Sequence, residues 1–376
     1  MQPPNKSADS HEIRPLTGIR GLAAMAVVLF HFYSSWVLLL PSLKVVAPLA
    51  LRGGLGVDLF FILSGFILSY VYNVGDSRMG LSEYRRFLWY RLARILPNHL
   101  ATLVMLMILI VCAKRYGVTL TGDYPLSGLP FQITMTHAWP FINGGKWNYP
   151  SWTISAEWFA YLCVFPISWN ILKFRFSQWA SVAIAYIILF MLVFALPDQA
   201  FLHFHALLQV SCEFIAGSML FGAYLHAGSV TRACHNYGTF IFLVIIGLLL
   251  VDATCMPFAS VVVILLFPLL LLGLTSETSI VSRIVSTPPA LWLGRISYAL
   301  YMSHAITQKV IKILLPPEQY VNSPLLLRLL ILFANILFLL LVAAGLYYAV
   351  EIPARNLMRQ IAISWSRRRS QSSSAS

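Results

Sequence analysis

Long apolar runs recur along this chain, and they constrain its fold more than any other feature. A helix needs roughly 17 to 25 apolar residues to cross a bilayer. Runs of that length fall near residues 19–40, 55–73, 93–113, 152–172, 177–196, 203–226, 236–252, 256–275, 289–314 and 325–350. The chain is 59% hydrophobic and only 10% charged, with a mean hydropathy of +0.77, far from a soluble globular composition. The expected fold is therefore all-α, a polytopic integral membrane protein with about ten transmembrane helices.

The formal net charge of +13 invites a nucleic-acid reading, but the basic residues sort by loop. With a cytoplasmic N-terminus, 18 of the 26 Lys and Arg fall on the inner side, leaving Lys44, Arg52, Lys114, Arg115, Lys146, Lys309, Lys312 and Arg328 outside. The charge then reports topology, with both termini cytoplasmic and membrane lipids, not nucleic acid, as the partner. No secretory signal is expected, because the first apolar run follows a polar segment containing Arg14 and has no small-residue cleavage pattern after it. Cys112, Cys163, Cys212, Cys234 and Cys255 show no Cys-x-x-Cys spacing. They read as small buried side chains and not as disulfides or zinc ligands.

Within the first run, Arg20 and His31 lie eleven positions apart. Eleven residues of α-helix make about three turns and rise roughly 16 Å, so both side chains share one face about half a bilayer apart. An ionisable group at membrane depth costs several kcal/mol unless partnered or wetted, which makes His31 a functional candidate by default.

Three regions lie between or beyond the runs. The segment 74–94 is the densest basic one, and it runs into the third apolar run as Arg85-Arg86-Phe-Leu-Trp-Tyr-Arg91-Leu-Ala-Arg94-Ile-Leu-Pro97. It reads either as an interfacial anchor or as an anion site, since guanidinium forks pair with phosphate bidentately. The longest outer loop, 115–151, carries Tyr124, Trp139, Trp147 and Tyr149, aromatic faces suited to sugar rings or to interfacial anchoring. The organisation expected is a cytoplasmic segment 1–13, a membrane domain 14–356, and a basic, Ser-rich disordered cytoplasmic tail 357–376. No fused extracytoplasmic domain is expected, and no internal repeat is visible.

Further polar groups stand where hydropathy alone would not place them. Gly56-Val-Asp58-Leu-Phe-Phe-Ile-Leu-Ser64-Gly65-Phe66 opens the second run. Trp152-Thr-Ile-Ser155-Ala-Glu157 opens the fourth, Ser297-Tyr298-Ala-Leu-Tyr301-Met-Ser-His304 enters the ninth, and Glu351-Ile-Pro353-Ala-Arg355 closes the tenth.

With Arg14-Pro-Leu-x-Gly-x-Arg20 before His31, and with Arg91-x-x-Arg94-Ile-x-Pro97, these segments resemble integral-membrane acyltransferases of the acyltransferase 3 family. That family includes O-acetyltransferases acting on bacterial polysaccharides, O-antigens and nodulation factors. Six motifs stand in family order over residues 14–355, with small departures at Thr153 and Met302. The resemblance implies transfer of an acyl group, usually acetyl from acetyl-CoA, to a hydroxyl of a carbohydrate or lipid-linked glycan acceptor, by a multi-pass protein of the bacterial inner membrane.

A sugar hydroxyl is a poor nucleophile at neutral pH, so the reaction needs a base and oxyanion stabilisation. His31 is expected either to deprotonate the acceptor or to carry the acyl group itself. Asp58 and Glu157 are catalytic candidates, the alternative being helix-end carboxylates that cap N–H groups or pair with arginines. Arg14, Arg20, Arg91, Arg94 and Arg355 are expected to bind the acyl-CoA donor, or to anchor the inner interface. Tyr301, His304, Trp147 and Trp152 are expected to line the substrate site, with helix–helix hydrogen bonding the alternative for the first two. Ser64 and Ser155 read as packing residues. His203-Phe-His205 lacks a third ligand, so no metal is expected. The rival from another class is a transporter or flippase using the same buried charges as a path.

Overall fold

The structure is a computed structural model and describes residues 12–72, 79–140, 142, 144–145, 147–172, 178–195, 202–225, 228–251 and 258–373. Lys146, Cys255 and the side chains of His203, His205 and the arginines at 367–369 lie outside the described set.

Among the described residues the chain is helical, without a strand. The longer helices are α1 (Arg14–Leu39), α2 (Gly56–Val71), α3 (Leu81–Arg115), α4 (Trp152–Phe159), α5 (Phe165–Leu172), α6 (Gln178–Ala195), α7 (Leu202–Leu225), α8 (Ser229–Leu250), α9 (Ala259–Gly273), α10 (Pro288–Leu314), α11 (Leu325–Leu346) and α12 (Ile352–Ser373). The protein is thus an all-α, multi-pass membrane protein. Six spans among the described residues combine the length and apolarity for crossing: Arg14–Leu39, Gly53–Val71, Leu81–Arg115, Ala206–Leu225, Ser229–Leu250 and Leu325–Ser364. Of the other apolar runs, 152–172 is divided by a π-helical turn at Ala160–Val164. Ala259–Gly273 is a shorter helix, and α10 carries Arg295, Lys309 and Lys312.

Local chemistry sets several helix ends. The Gly80 N–H donates to Glu83 Oε2 at 3.0 Å, which satisfies a free amide at the start of α3. α12 runs on into the segment that composition reads as a disordered tail. No Gly or Pro follows Pro353 to stop it.

The chain forms two compact units. The first contains Met1–Tyr33, Leu43–Ser77 and Ile167–Ser297. Inside it α2 packs on α7 through reciprocal glycines. A Cβ at Gly65 would stand 2.0 Å from the Phe214 carbonyl oxygen, and one at Gly217 would stand 1.8 Å from that of Ile62. Helices in lipid associate by close van der Waals packing, which small residues at the crossing permit. Around this crossing lie the buried Leu16, Ile62, Phe66, Phe221 and Leu271.

The second unit contains Ser34–Ser42, Arg78–Pro166 and Tyr298–Ser376. Here α3 is tied to α12 by Trp89, whose Nε1 donates to the Met358 carbonyl at 2.7 Å. Phe87 is fully buried, stacked on Phe165 with centroids 4.5 Å apart and meeting Tyr161 edge-on. A smaller apolar cluster joins Leu103, Leu106, Trp147 and Ile306.

Candidate functional site

In the first unit, α1 carries Arg14, Arg20 and His31 on one unbroken helix. This realises the spacing of three turns. Arg14 donates to the Ser286 carbonyl at 3.0 Å and lies 3.9 Å from Glu277, about half exposed. The motif glycine Gly18 fits because a Cβ there would meet the Val285 carbonyl oxygen at 1.7 Å. His31 is half-buried and meets the Phe30 ring edge-on at 4.8 Å.

Asp58, in the first turn of α2, is buried and faces α7. Gln209 Nε2 donates to Asp58 Oδ1 at 2.6 Å and to Glu213 Oε1 at 3.0 Å. The Asp58 and Glu213 carboxyl groups are thus held as neighbours by one amide nitrogen. Sequence reading had singled out neither Gln209 nor Glu213. The available signal was an amide and an acid at i, i+4 on one face of an apolar helix.

In the second unit, Glu157 lies on α4 just before the π-helical turn Ala160–Val164. A π turn adds a residue to the helical circuit and re-aims side chains. Here it brings the Tyr161 hydroxyl round to donate to Glu157 Oε1. Glu157 is also within electrostatic reach of Tyr298 and Tyr301. Tyr298 donates to the Ile95 carbonyl at 2.6 Å. The Tyr161 hydroxyl senses Arg91 and Arg94 as well. Glu157, Tyr301, Arg91 and Arg94 are therefore drawn together.

Glu351 closes a second π turn, Tyr347–Glu351. Its carboxylate accepts from Asn98 Nδ2 at 2.8 Å and lies 3.8 Å from Arg355. Arg359, one turn beyond Arg355, shares the electrostatic neighbourhood of Arg355, Arg91 and Arg94. Neither Arg94 nor Arg359 has an ion pair or hydrogen bond among the described residues. Among the described residues, Arg359 has only other arginines and Tyr90 as its charged or polar neighbours, so positive charge is concentrated here in a way that suits a phosphate-bearing ligand. Arg359 is one of the 18 basic residues that the sequence places on the inner side; its i, i+4 spacing from Arg355 was the missed signal.

The aromatic candidates occupy different settings. Trp147 is buried in the apolar cluster, and its Nε1 donates to the Pro125 carbonyl at 3.1 Å. Trp152 is partly exposed. His304 is fully buried, with Nδ1 against the Tyr301 carbonyl and Nε2 3.1 Å from the Tyr149 hydroxyl. A carbonyl only accepts, so Nδ1 carries the proton and Nε2 takes the Tyr149 hydrogen. Burial, with a smaller effect of Tyr301, pushes the Tyr149 hydroxyl above the ordinary tyrosine range, which keeps it a donor.

Buried carboxyl groups, a helix joining an arginine to a mid-span histidine and an arginine cluster define a polytopic membrane protein with a polar, chemically equipped interior. The chain belongs to the acyltransferase 3 family: the family's acyltransferase-domain model matches residues 14–344. It is similar to acyltransferase MdmB from Streptomyces mycarofaciens, at 29% identity over 177 residues. That stretch covers 45% of this chain and 43% of MdmB, less than half of either. No solved structure matches the chain.

Proposed function

We propose that the protein is an O-acetyltransferase of the bacterial inner membrane, which moves an acetyl group from cytoplasmic acetyl-CoA to a hydroxyl of an envelope carbohydrate or lipid-linked glycan. Both termini face the cytoplasm in this reading, following the distribution of Lys and Arg. The observation that carries it is the gathering of Arg91, Arg94, Arg355 and Arg359 in one unit of an acyltransferase-family chain. Guanidinium groups in surplus fit the phosphates of a coenzyme A thioester.

Arg14 and Arg20 on α1 are assigned to the donor, and His31 to the acceptor. In the direct route, His31 takes the proton of the acceptor hydroxyl as its oxygen bonds to the thioester carbonyl carbon. The C–S bond breaks, and the proton passes to the departing coenzyme A thiolate. In the relay route, the imidazole nitrogen attacks the thioester carbonyl carbon and coenzyme A leaves as the thiol with the ring proton; the acceptor oxygen then bonds to that carbon, the acyl C–N bond breaks, and the hydroxyl proton returns to the ring. Glu157, within its ring of tyrosines, orients reacting groups. Asp58 acts through its contacts with Gln209 and Glu213.

Membranes containing the protein, supplied with radiolabelled acetyl-CoA, should transfer label to an alkali-labile ester on envelope glycan, and membranes lacking it should not. Equal labelling in the two preparations would sink the reading.

A further inference from the structure

The acyl-transfer chemistry leaves unused a buried polar cluster in the second unit, built from α3 and the segment before α4. His99 and Gln132 are each 1% exposed and Asn148 is 3% exposed. His99 Nε2 stands 2.7 Å from the Gln132 carbonyl oxygen. Since that oxygen only accepts, Nε2 carries the proton, and the neutral ring presents a bare lone pair at Nδ1. Gln132 spends its amide nitrogen on the carbonyls of Gly144 and Gly145, at 3.1 and 3.3 Å. Asn148 spends its own on the Met302 carbonyl at 2.9 Å. These partners fix both amide orientations.

On these three side chains, what remains is one-sided. His99 Nδ1, Gln132 Oε1 and Asn148 Oδ1 are buried without a hydrogen-bond partner among the described residues, and all three are acceptors. The cluster is continuous: the His99 ring lies parallel to His137 at 5.9 Å, His137 bonds Ser151 at 3.0 Å, and the Ser151 amide donates to the Asn148 carbonyl at 2.8 Å. Between Gln132 and His137 the backbone takes a left-handed conformation at Met135, φ 56°. A non-glycine residue holds such strain where the surroundings demand it, often at ligand sites.

Unpartnered buried polar groups are rare in folded proteins, and a ligand or held water is the usual complement. A complement to three acceptors must donate several hydrogens. The cluster itself contains no Asp or Glu, so nothing in it selects a cation. We infer that His99, Gln132 and Asn148 form a subsite for the hydroxyl groups of an uncharged, polyhydroxylated ligand of the sugar class. Taking that ligand to be the acceptor rests on the proposed acetyl transfer; the hydroxyl complementarity does not.

The test uses the full chain in cells that make its own envelope glycans. Trp147, next to Asn148, is replaced by the photoreactive p-benzoylphenylalanine, and the exposed Tyr237 on α8 serves as the control position. After irradiation the purified protein is probed for periodate-oxidisable sugar and weighed by mass spectrometry, while acetyl transfer is measured in the same membranes. The expected result is a sugar adduct at position 147 and none at 237, reduced by about tenfold or more in Gln132→Leu, since a site built to bind hydroxyls suffers when an acceptor is lost. Asn148→Leu should act alike if Gln132→Leu does not accumulate. An adduct without acetyl transfer supports the subsite and removes the acetyltransferase reading. Acetyl transfer without an adduct means that water alone fills the cluster and overturns the subsite, as do equal adducts at both positions or adducts indifferent to both leucine variants. Neither adduct nor transfer overturns both.

Discussion

The Tyr149 hydroxyl lies 3.1 Å from Nε2 of His304, a ring whose other nitrogen is committed to the Tyr301 carbonyl. One backbone carbonyl thereby sets the tautomer, and the tautomer sets the direction of the phenol hydrogen bond. This arrangement engages both ring nitrogens of His304 and ties its helix to the segment before α4.

Because burial raises the Tyr149 hydroxyl above its ordinary value, the folded state keeps the phenol neutral longer than the unfolded chain does. The contribution to stability is complete below the unfolded value of about 10 and is lost as pH rises above it. Tyr149→Phe should lower stability by about 0.5 to 1.5 kcal/mol at neutral pH through the lost hydrogen bond. It should also make the alkaline fall in stability shallower. Melting temperatures of the purified protein from neutral to alkaline pH check both effects; identical alkaline profiles for the variant and the parent would count against the bond.

The Asp58–Gln209–Glu213 contact predicts a graded series. Glu213→Gln keeps a hydrogen-bonding partner and should be close to neutral. Glu213→Leu removes one of the two acceptors of the Gln209 amide nitrogen and should cost about 0.5 to 1.5 kcal/mol. Asp58→Asn separates structure from chemistry: lost acetyl transfer with an unchanged melting temperature marks a chemical role, while parallel losses mark a structural one.

Arg359→Gln should raise KM for acetyl-CoA by about tenfold with little change in kcat, the signature of lost uniform binding. The same substitution should flatten the dependence of KM on ionic strength. Steady-state kinetics at two salt concentrations provide the check, and an unchanged KM would place Arg359 outside the donor site.

Gly65→Leu drives a side chain into the Phe214 carbonyl, 2.0 Å from where its Cβ would stand. The α2–α7 crossing has no room for it, so folded protein should fall well below parental yield, with Gly65→Ala intermediate. Detergent extraction followed by size-exclusion chromatography reads the outcome.

Much of this architecture is legible in the sequence, because membrane helices obey a length rule and polar residues in apolar runs stand out. The Arg20–His31 helix is of that kind, as are Asp58, Glu157 and the Glu351–Arg355 pair, whose i, i+4 spacing reappears as a 3.8 Å contact. Partners distant in sequence are not legible. Nothing local ties Asp58 to Glu213, or His99 to Gln132 and His137, since each pairing arises only when a loop folds back or two helices cross. The π turns behind Glu157 and at Glu351 are equally silent, having no composition of their own. The extension of α12 is hidden for another reason: Ser and Arg suggest disorder by composition, while the absence of any breaker after Pro353 lets the helix continue.

The central claim places acyl transfer at His31, and its most direct test is the rate of acetyl transfer by His31→Ala protein reconstituted into vesicles, with acetyl-CoA on one side and the cell's own glycan as acceptor. Loss of a positioned base or carrier predicts a fall of about 10²- to 10⁴-fold with the fold intact. A His31→Ala protein that transfers acetyl at the parental rate would contradict the account.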